Sequence, residues 1–552
     1  MDNFYSFLKL KAVTVLAAIA LITPHSAQAG AFGTLSLPDT ASSGRGKTLV
    51  YCSEASPAGF DVAQYAASSD YTAAGGTIYN QLVQFERGST KLGPALAERW
   101  DISPDGRVYT FYLRRGVKFH TTPWFTPSRD FNAEDVLFTF ERMRNPEMPF
   151  RKAYPTEFPD WEFLGFDTIE KIEALPPFPS YTVRFTLKKP NAPFLSNLAA
   201  PMTSIYSAEY ADQLLKAGKA PKINQKPVGT GPFIFERYIK DATIYFRSNL
   251  DYWKPGDVQL AKLVFAITPD ARVRVQKIKQ NECQAMTAPP LDSIADLEKD
   301  PRLQVLGKKD FSIQFLAYNV QHSPLGDVRV RRALDRMIDK KTLIDSVYFG
   351  HAQAAVAPLP PPQWAYDDRL KDAPRDVEKA RALLTQAGYP NGFSIKLWAP
   401  PGKSLAAEII QADWKKIGVQ AHIVTYEWAE FLKRTLRGEH DAVLMGGSGI
   451  TDPDQWLGGF LGCRSMRGGN FSQWCYKPFD ELLQQAVRTL AREKRTVLYL
   501  KAQKIFKDQQ PYTALAYPMS YTVLDKNVKD FKTYMFGMTV FYGVGLQASS
   551  IK

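Results

Sequence analysis

The chain has 552 residues, 45% of them apolar and 23% charged, with a formal net charge of +13 and only 4 cysteines. That length provides for two to four domains with large cores, and the charged fraction excludes a disordered polyelectrolyte. The basic residues are spread along the chain without a long run, a Cys/His finger or an RRM-type signature, so nucleic-acid binding is not expected.

The chain opens with the pattern of an export signal. Lys9 and Lys11 precede Ala12 to Ile22, an apolar run of 11 residues that is too short to cross a bilayer. Pro24 ends any helix there, and Ala27 and Ala29 put small side chains at the two positions a signal peptidase reads. A signal peptide over 1–29, cleaved after Ala29, and export are therefore expected. No cysteine follows the cleavage point, so no lipid anchor is expected, and Gly30 to Gly46 is Gly/Ser/Thr-rich and loose. With export, disulfides are the expected chemistry for the cysteines. Four allow three pairings. Cys463 and Cys475 are 12 apart around a Gly-containing loop and are expected to pair, leaving Cys52 with Cys283. No CxxC is present and the histidines are remote from the cysteines in sequence, so no metal site is expected.

Lys47 to Cys52 reads as a strand. Residues 92–120 alternate, most clearly at Tyr109, Phe111 and Leu113, with Asp105-Gly106 as the hairpin turn. A helix starts at Asn132, which can cap, with Glu134 and Asp135 on its positive end and Val136, Phe140 and Met143 as the apolar stripe. Pro-rich stretches at 174–179 and 357–362 read as loops. From 376 to 460 the signals alternate regularly. Asp376 to Ala387 is a capped helix stopped by Gly388 and Pro390, and Phe393 to Trp398 is a strand. Ser404 to Ile417 is a helix with Ala407, Ile410, Trp414 and Ile417 on one face. Val419 to Val424 is a strand, Trp428 to Leu436 a short helix and Ala442 to Met445 a buried strand. This β-α-β-α-β order predicts a parallel sheet with right-handed crossovers, whose ligands bind at the carboxyl ends of the strands. Three loops leave those ends: Ala399 to Lys403, Thr425 to Trp428, and Gly446 to Gly449. Together they offer a ring, a carboxylate, a cation and backbone amides.

Catalytic signatures are missing. There is no HExxH and no Walker A sequence, and Ile450 breaks a GxSxG around Ser448. Gly543 to Ala548 fits a loose GxGxxA without a βαβ unit after it. His120 and His422 are expected on strands as packing or surface residues, and Asp452-Pro453-Asp454 as turn chemistry.

Several segments, in order, then resemble one family. They are Leu96-Ala97-Glu98-Arg99-Trp100, Leu113 to His120, Phe131 to Val136, Pro227 to Phe233, Tyr252-Trp253, Asn281-Glu282-Cys283 and Ile410 to Trp414. From Lys47 to about Lys532 the chain resembles bacterial extracellular solute-binding protein family 5, the peptide-binding components of ABC importers. Thr122 to Pro127 is similar to Sap-type antimicrobial-peptide binders, and Val424 to Trp428 to dipeptide binders. The resemblance implies an α/β periplasmic binding protein of type II: two hinged lobes with an extra inserted domain. Residues 48–78, 225–308 and 520–552 would form lobe I, 79–224 the extra domain and 309–519 lobe II. It supports the same disulfide pairing. It implies a monomeric receptor, not an enzyme, without cofactor, that carries a small peptide to an inner-membrane permease. Haem, an opine-like conjugate or a metal chelate is the alternative cargo of such a receptor, and a secreted hydrolase is the more distant alternative to the receptor role. The resemblance places Ser53, Glu54 and Ser56 along the cleft, Trp428 against a ligand side chain, and the loop of Gly446, Gly447, Ser448 and Gly449 along the peptide backbone. Relatives usually have Trp where this chain has Gly447, followed by an Asp that meets the ligand ammonium; here no acid comes before Asp452. The Arg that meets a dipeptide carboxylate is missing after Trp398, and Lys403 is the nearest cation. Glu427, Asp452 and Glu54 are the candidates for the missing negative charge, because a buried ammonium without one costs several kcal/mol.

Overall fold

The computed structural model describes residues 48–448, 452–466, 468–534 and 536–547; the predicted signal over 1–29, the Gly30 to Gly46 stretch and Gly449 lie outside them. The strand Thr48–Ser53 lies where the sequence places it and pairs in parallel with Lys262–Ile267 on one side and Ala285–Thr287 on the other. It belongs to a sheet of 12 strands. On one flank the sheet continues through Thr243–Ser248 to Phe233–Ile239. On the other flank lie Ile313–Tyr318, Ala442–Gly447, Ser394–Trp398 and, at the edge, Gln420–Val424.

One strand of 14 residues, Tyr512–Asp525, joins the flanks. Its first part pairs with Ile313–Tyr318 and its last part with Leu303–Lys309 and Ala285–Thr287. The chain thus crosses between the flanks twice, from Lys309 to Ile313 and from Ala516 to Met519. The cores divide at the same place. One large cluster runs from Leu49 to Ala285 and resumes at Leu524, whereas residues 313–517 build two others. Those two occupy opposite faces of one set of strands. Phe315, Val443 and Met445 point to one side and Leu316, Ala442 and Leu444 to the other, as the two-residue period of a strand requires.

The predicted β-α-β-α-β run is present, as Ser394–Trp398, Ser404–Lys415, Gln420–Val424, Trp428–Leu436 and Ala442–Gly447. Its strands are parallel, with Ser394–Trp398 in the middle. The stripe Ala407, Ile410 and Trp414 is fully buried, and the Trp414 indole donates to the Leu334 carbonyl at 3.1 Å. The predicted hairpin Ala97–Ile102 and Val108–Leu113 belongs to a separate four-stranded antiparallel sheet with Ile169–Ala174 and Thr182–Leu187. Asn132 caps the helix Ala133–Arg144 by accepting from the Glu134 amide, while Asp135 accepts from the Asn132 amide. Arg142 on that helix forms a fully buried bidentate pair with Asp61, both contacts at 2.8 Å.

Cys52 pairs with Cys283 and Cys463 with Cys475. His120, expected on a strand, instead lies in irregular chain, where its Nε2 donates to the Gly231 carbonyl at 2.8 Å and burial pushes its pKa down to about 4. Among the described residues, no helix is long and apolar enough to cross a membrane.

Candidate functional site

The carboxyl ends of Ser394–Trp398 and Ala442–Gly447 gather three of the predicted residues around one that sequence reasoning missed. Lys403 closes the loop between the first strand and the helix Ser404–Lys415, and its ammonium donates to the Gln314 side-chain oxygen. Gln314 pairs in register with Gly446. A Cβ on Gly446 would sit 2.4–2.6 Å from the Gln314 amide group, so glycine is what lets that side chain lie flat on the neighbouring strand. A Cβ on Gly447 would meet the Trp456 ring at 2.8 Å. Ser448, next along, is exposed. Lys403 has no carboxylate partner among the described residues, and loss of water around it pushes its pKa down to about 8. It is a partly buried cation whose charge no carboxylate among the described residues balances. Gln314 was detectable in principle as the polar residue in the apolar strand Ile313–Tyr318.

The Thr425 to Trp428 loop stands beside this group, tied to it by the Trp398 and Tyr426 rings, whose centroids are 5.0 Å apart. Trp428 begins a helix, is 49% exposed and stacks on Phe431 at 5.9 Å with the planes 16° apart. A half-exposed indole offers one face to a ligand. Glu427 is already engaged, because its Oε2 accepts from the Ala429 amide at 2.9 Å and caps its own helix.

Asp452 does not provide a free negative charge. It is buried, caps the helix Pro453–Phe460 and accepts from both guanidinium nitrogens of Arg495. Its neighbour Asp454 accepts from Arg464 at 2.7 Å. Arg495 was not distinguishable in the sequence from the other basic residues of the helix Arg492–Gln509.

Ser53, Glu54 and Ser56 follow the strand Thr48–Ser53. The Ser53 hydroxyl donates to the Ala55 carbonyl at 3.0 Å and that of Ser56 to Asp241 at 2.6 Å. Glu54 lines a cavity of about 350 Å³ whose wall also carries Asp310 and Met519 from the two crossing segments and, from the strands beside them, Lys308 and Tyr521. Thr287 donates to Glu54 Oε2 at 2.6 Å. The single Thr287 proton being so used, the Tyr51 hydroxyl at 2.7 Å donates to Thr287. Glu54 has no cationic partner among the described residues. None of the other predicted residues lines this cavity. Nor is there, among the described residues, a cluster of side chains able to hold a metal ion.

The chain's residues 91–468 match the profile of bacterial extracellular solute-binding proteins, family 5 (middle region). It is 52% identical over 507 residues to di/tripeptide-binding protein 1 of Pseudomonas aeruginosa, covering 90% of this chain and 94% of that protein. It is 40% identical over 547 residues to heme-binding protein A of Haemophilus influenzae, covering 98% and 100%. Among solved structures, the periplasmic binding protein DppA of Helicobacter pylori in complex with the peptide STSA superposes with a TM-score of 0.81 at 38% identity, over 91% of this chain and 99% of that one.

Proposed function

The chain belongs to the bacterial extracellular solute-binding proteins of family 5, and on that footing we propose that it binds short peptides between two lobes and delivers them to an ABC permease. Its fold is that of a type II periplasmic binding protein. The observation that carries the cargo assignment is the 52% identity, over nearly all of both chains, to a di/tripeptide-binding protein. The site supports it: Lys403, an unbalanced cation beside the strand ends, suits a peptide carboxylate, and Trp428 suits a side chain.

Lobe I comprises residues 48–78, 225–308 and 520–552, the extra domain 79–224 and lobe II 309–519. The boundary near 309 and 520 is supported by the division of the cores and the two crossing segments. Ligand touching both lobes stabilises the closed arrangement over the open one. The signal over 1–29 sends the chain to the periplasm, where it acts as a monomer and releases its cargo unchanged. Titration calorimetry with a panel of di- and tripeptides tests the reading. Micromolar or tighter binding of free peptides is expected. Haem binding with no peptide binding would overturn it in favour of the cargo named for heme-binding protein A.

A further inference from the structure

We propose that the extra domain 79–224 is a second jaw of the receptor: it grips the helix Pro453–Phe460 of lobe II while cargo is bound and releases it when the site empties. This rests on the receptor reading and the lobe boundaries above. Three contacts make the grip. The Gln455 side-chain amide donates to the Asn197 side-chain oxygen at 2.6 Å, with both residues buried. The Ala192 backbone amide donates to the Val487 carbonyl at 2.8 Å. The Phe163 ring lies over Gly459, where a Cβ would stand 2.7 Å from it, and meets the Phe460 ring edge to face at 6.3 Å. Between these contacts the walls part around a cavity of about 770 Å³, faced by Glu162, Asp167 and Lys189 from the extra domain and by Arg464, Asp480 and Arg488 from lobe II. The buried apolar clusters end on either side of it, with Leu164, Phe194 and Leu198 in one and Trp456, Leu457 and Leu483 in another. Surfaces joined for good pack as closely as a core. A contact made at a few points around a polar void can part and re-form.

Two further observations tie the grip to cargo. One apolar cluster runs through lobe I and the extra domain together, from Leu49 through Phe111 and Phe194 to Phe265, so these parts move as one body and the grip is made when that body closes on lobe II. The gripped helix also packs against the strand ends. Its Trp456 ring lies where a Cβ on Gly447 would be, 2.8 Å away, and stands 4.6 Å from the Phe460 ring that Phe163 meets. Cargo settling on the Gly446 and Gly447 strand end therefore bears on the same helix that the extra domain holds. By linkage, whatever the grip adds to the hold on cargo, cargo returns to the grip.

Hydrogen exchange at the Ala192 amide reads the grip directly, because its acceptor is on lobe II. The probe is the tightest-binding member of the di- and tripeptide panel above. With the peptide bound, that amide should exchange about tenfold more slowly than without it. Equal exchange in the two states makes the contact permanent and overturns the proposal. Phe163→Ala gives a second reading. The ring is 39% exposed, so the melting temperature of the peptide-free protein should hold. In stopped flow, peptide dissociation from the variant should quicken about fivefold while association stays within about twofold of the unaltered protein. Unchanged dissociation also overturns the proposal, and either negative result leaves the peptide reading standing. Failure of every peptide in the panel overturns that reading instead, and haem then takes the peptide's place in both measurements.

Discussion

Arg495 meets Asp452 with both of its terminal nitrogens, at 2.6 and 2.9 Å, where both side chains are buried. The Tyr499 hydroxyl accepts from the same guanidinium at 2.7 Å, and the Trp364 ring lies 5.3 Å from it. The pair therefore fixes the start of the helix Pro453–Phe460 just after the strand that carries Gly446 and Gly447. Arg495→Met is expected to cost about 3–5 kcal/mol, because it leaves a buried carboxylate without its cation. Urea unfolding measures this; a loss under 1 kcal/mol would mean that Asp452 finds water or another partner.

Lys403 predicts a pH dependence of binding. Its pKa of about 8 in the free protein rises when a carboxylate is bound, so binding takes up a proton near pH 8, and affinity declines as pH climbs past 8. The peptide's own amine titrates close by, at about 7.7–8.0. The lysine's share is therefore the difference between the unaltered protein and Lys403→Arg, which stays charged and should lose less affinity by pH 9.5. Identical pH profiles would remove Lys403 from the site.

These two cases also mark what the sequence reveals. The stripe Ala407, Ile410 and Trp414 and the Asn132 cap depend on neighbours within one or two turns, and both are where local pattern places them. Lys403 could be named because it directly follows a legible strand. Its partner Gln314 is 89 residues away, and the Arg495 that neutralises Asp452 is 43 residues on. Such pairings are set by the order of strands in the sheet, which no local periodicity encodes. His120 departs from local pattern for a related reason: alternation continues past Leu113 in the sequence, but the chain there leaves the ladder to meet Gly231.

Trp428 should separate binding from stability. With half its surface already in water, Trp428→Ala is expected to change unfolding free energy by no more than about 1 kcal/mol. Peptide affinity should decline about tenfold, the order of a lost ring contact. Equal affinity in the variant would place the cargo elsewhere.

The buried histidines set an acid limit. His120 and His440 both have pKa values of about 4, pushed down chiefly by burial, against about 6.5 in an unfolded chain. As pH falls from 6.5 toward 4 the unfolded state binds protons that the folded state does not. Stability is therefore full above 6.5 and falls by up to about 1.4 kcal/mol per pH unit for each histidine. The urea midpoint at pH 5 against pH 7 reads this, and His440→Gln should reduce the slope. An equal slope would exclude His440 as a contributor.

The two disulfides should differ in weight. Cys52 and Cys283 are 231 residues apart and Cys463 and Cys475 only 12. Loop entropy gives about 5 kcal/mol for the first and about 3 for the second. Paired alanine replacements followed by thermal melting should lower the midpoint more for Cys52/Cys283; the reverse order would show that strain or residual structure outweighs loop length.

The strand Tyr512–Asp525 is made after Leu303–Lys309 and Ala352–Ala354, which among the described residues have no other strand to pair with. During synthesis at roughly 5–20 residues per second, those earlier segments wait tens of seconds or less for their partner. Until it arrives, Leu303–Lys309 and Ala352–Ala354 keep open edges, and neither flank of the 12-stranded sheet is complete.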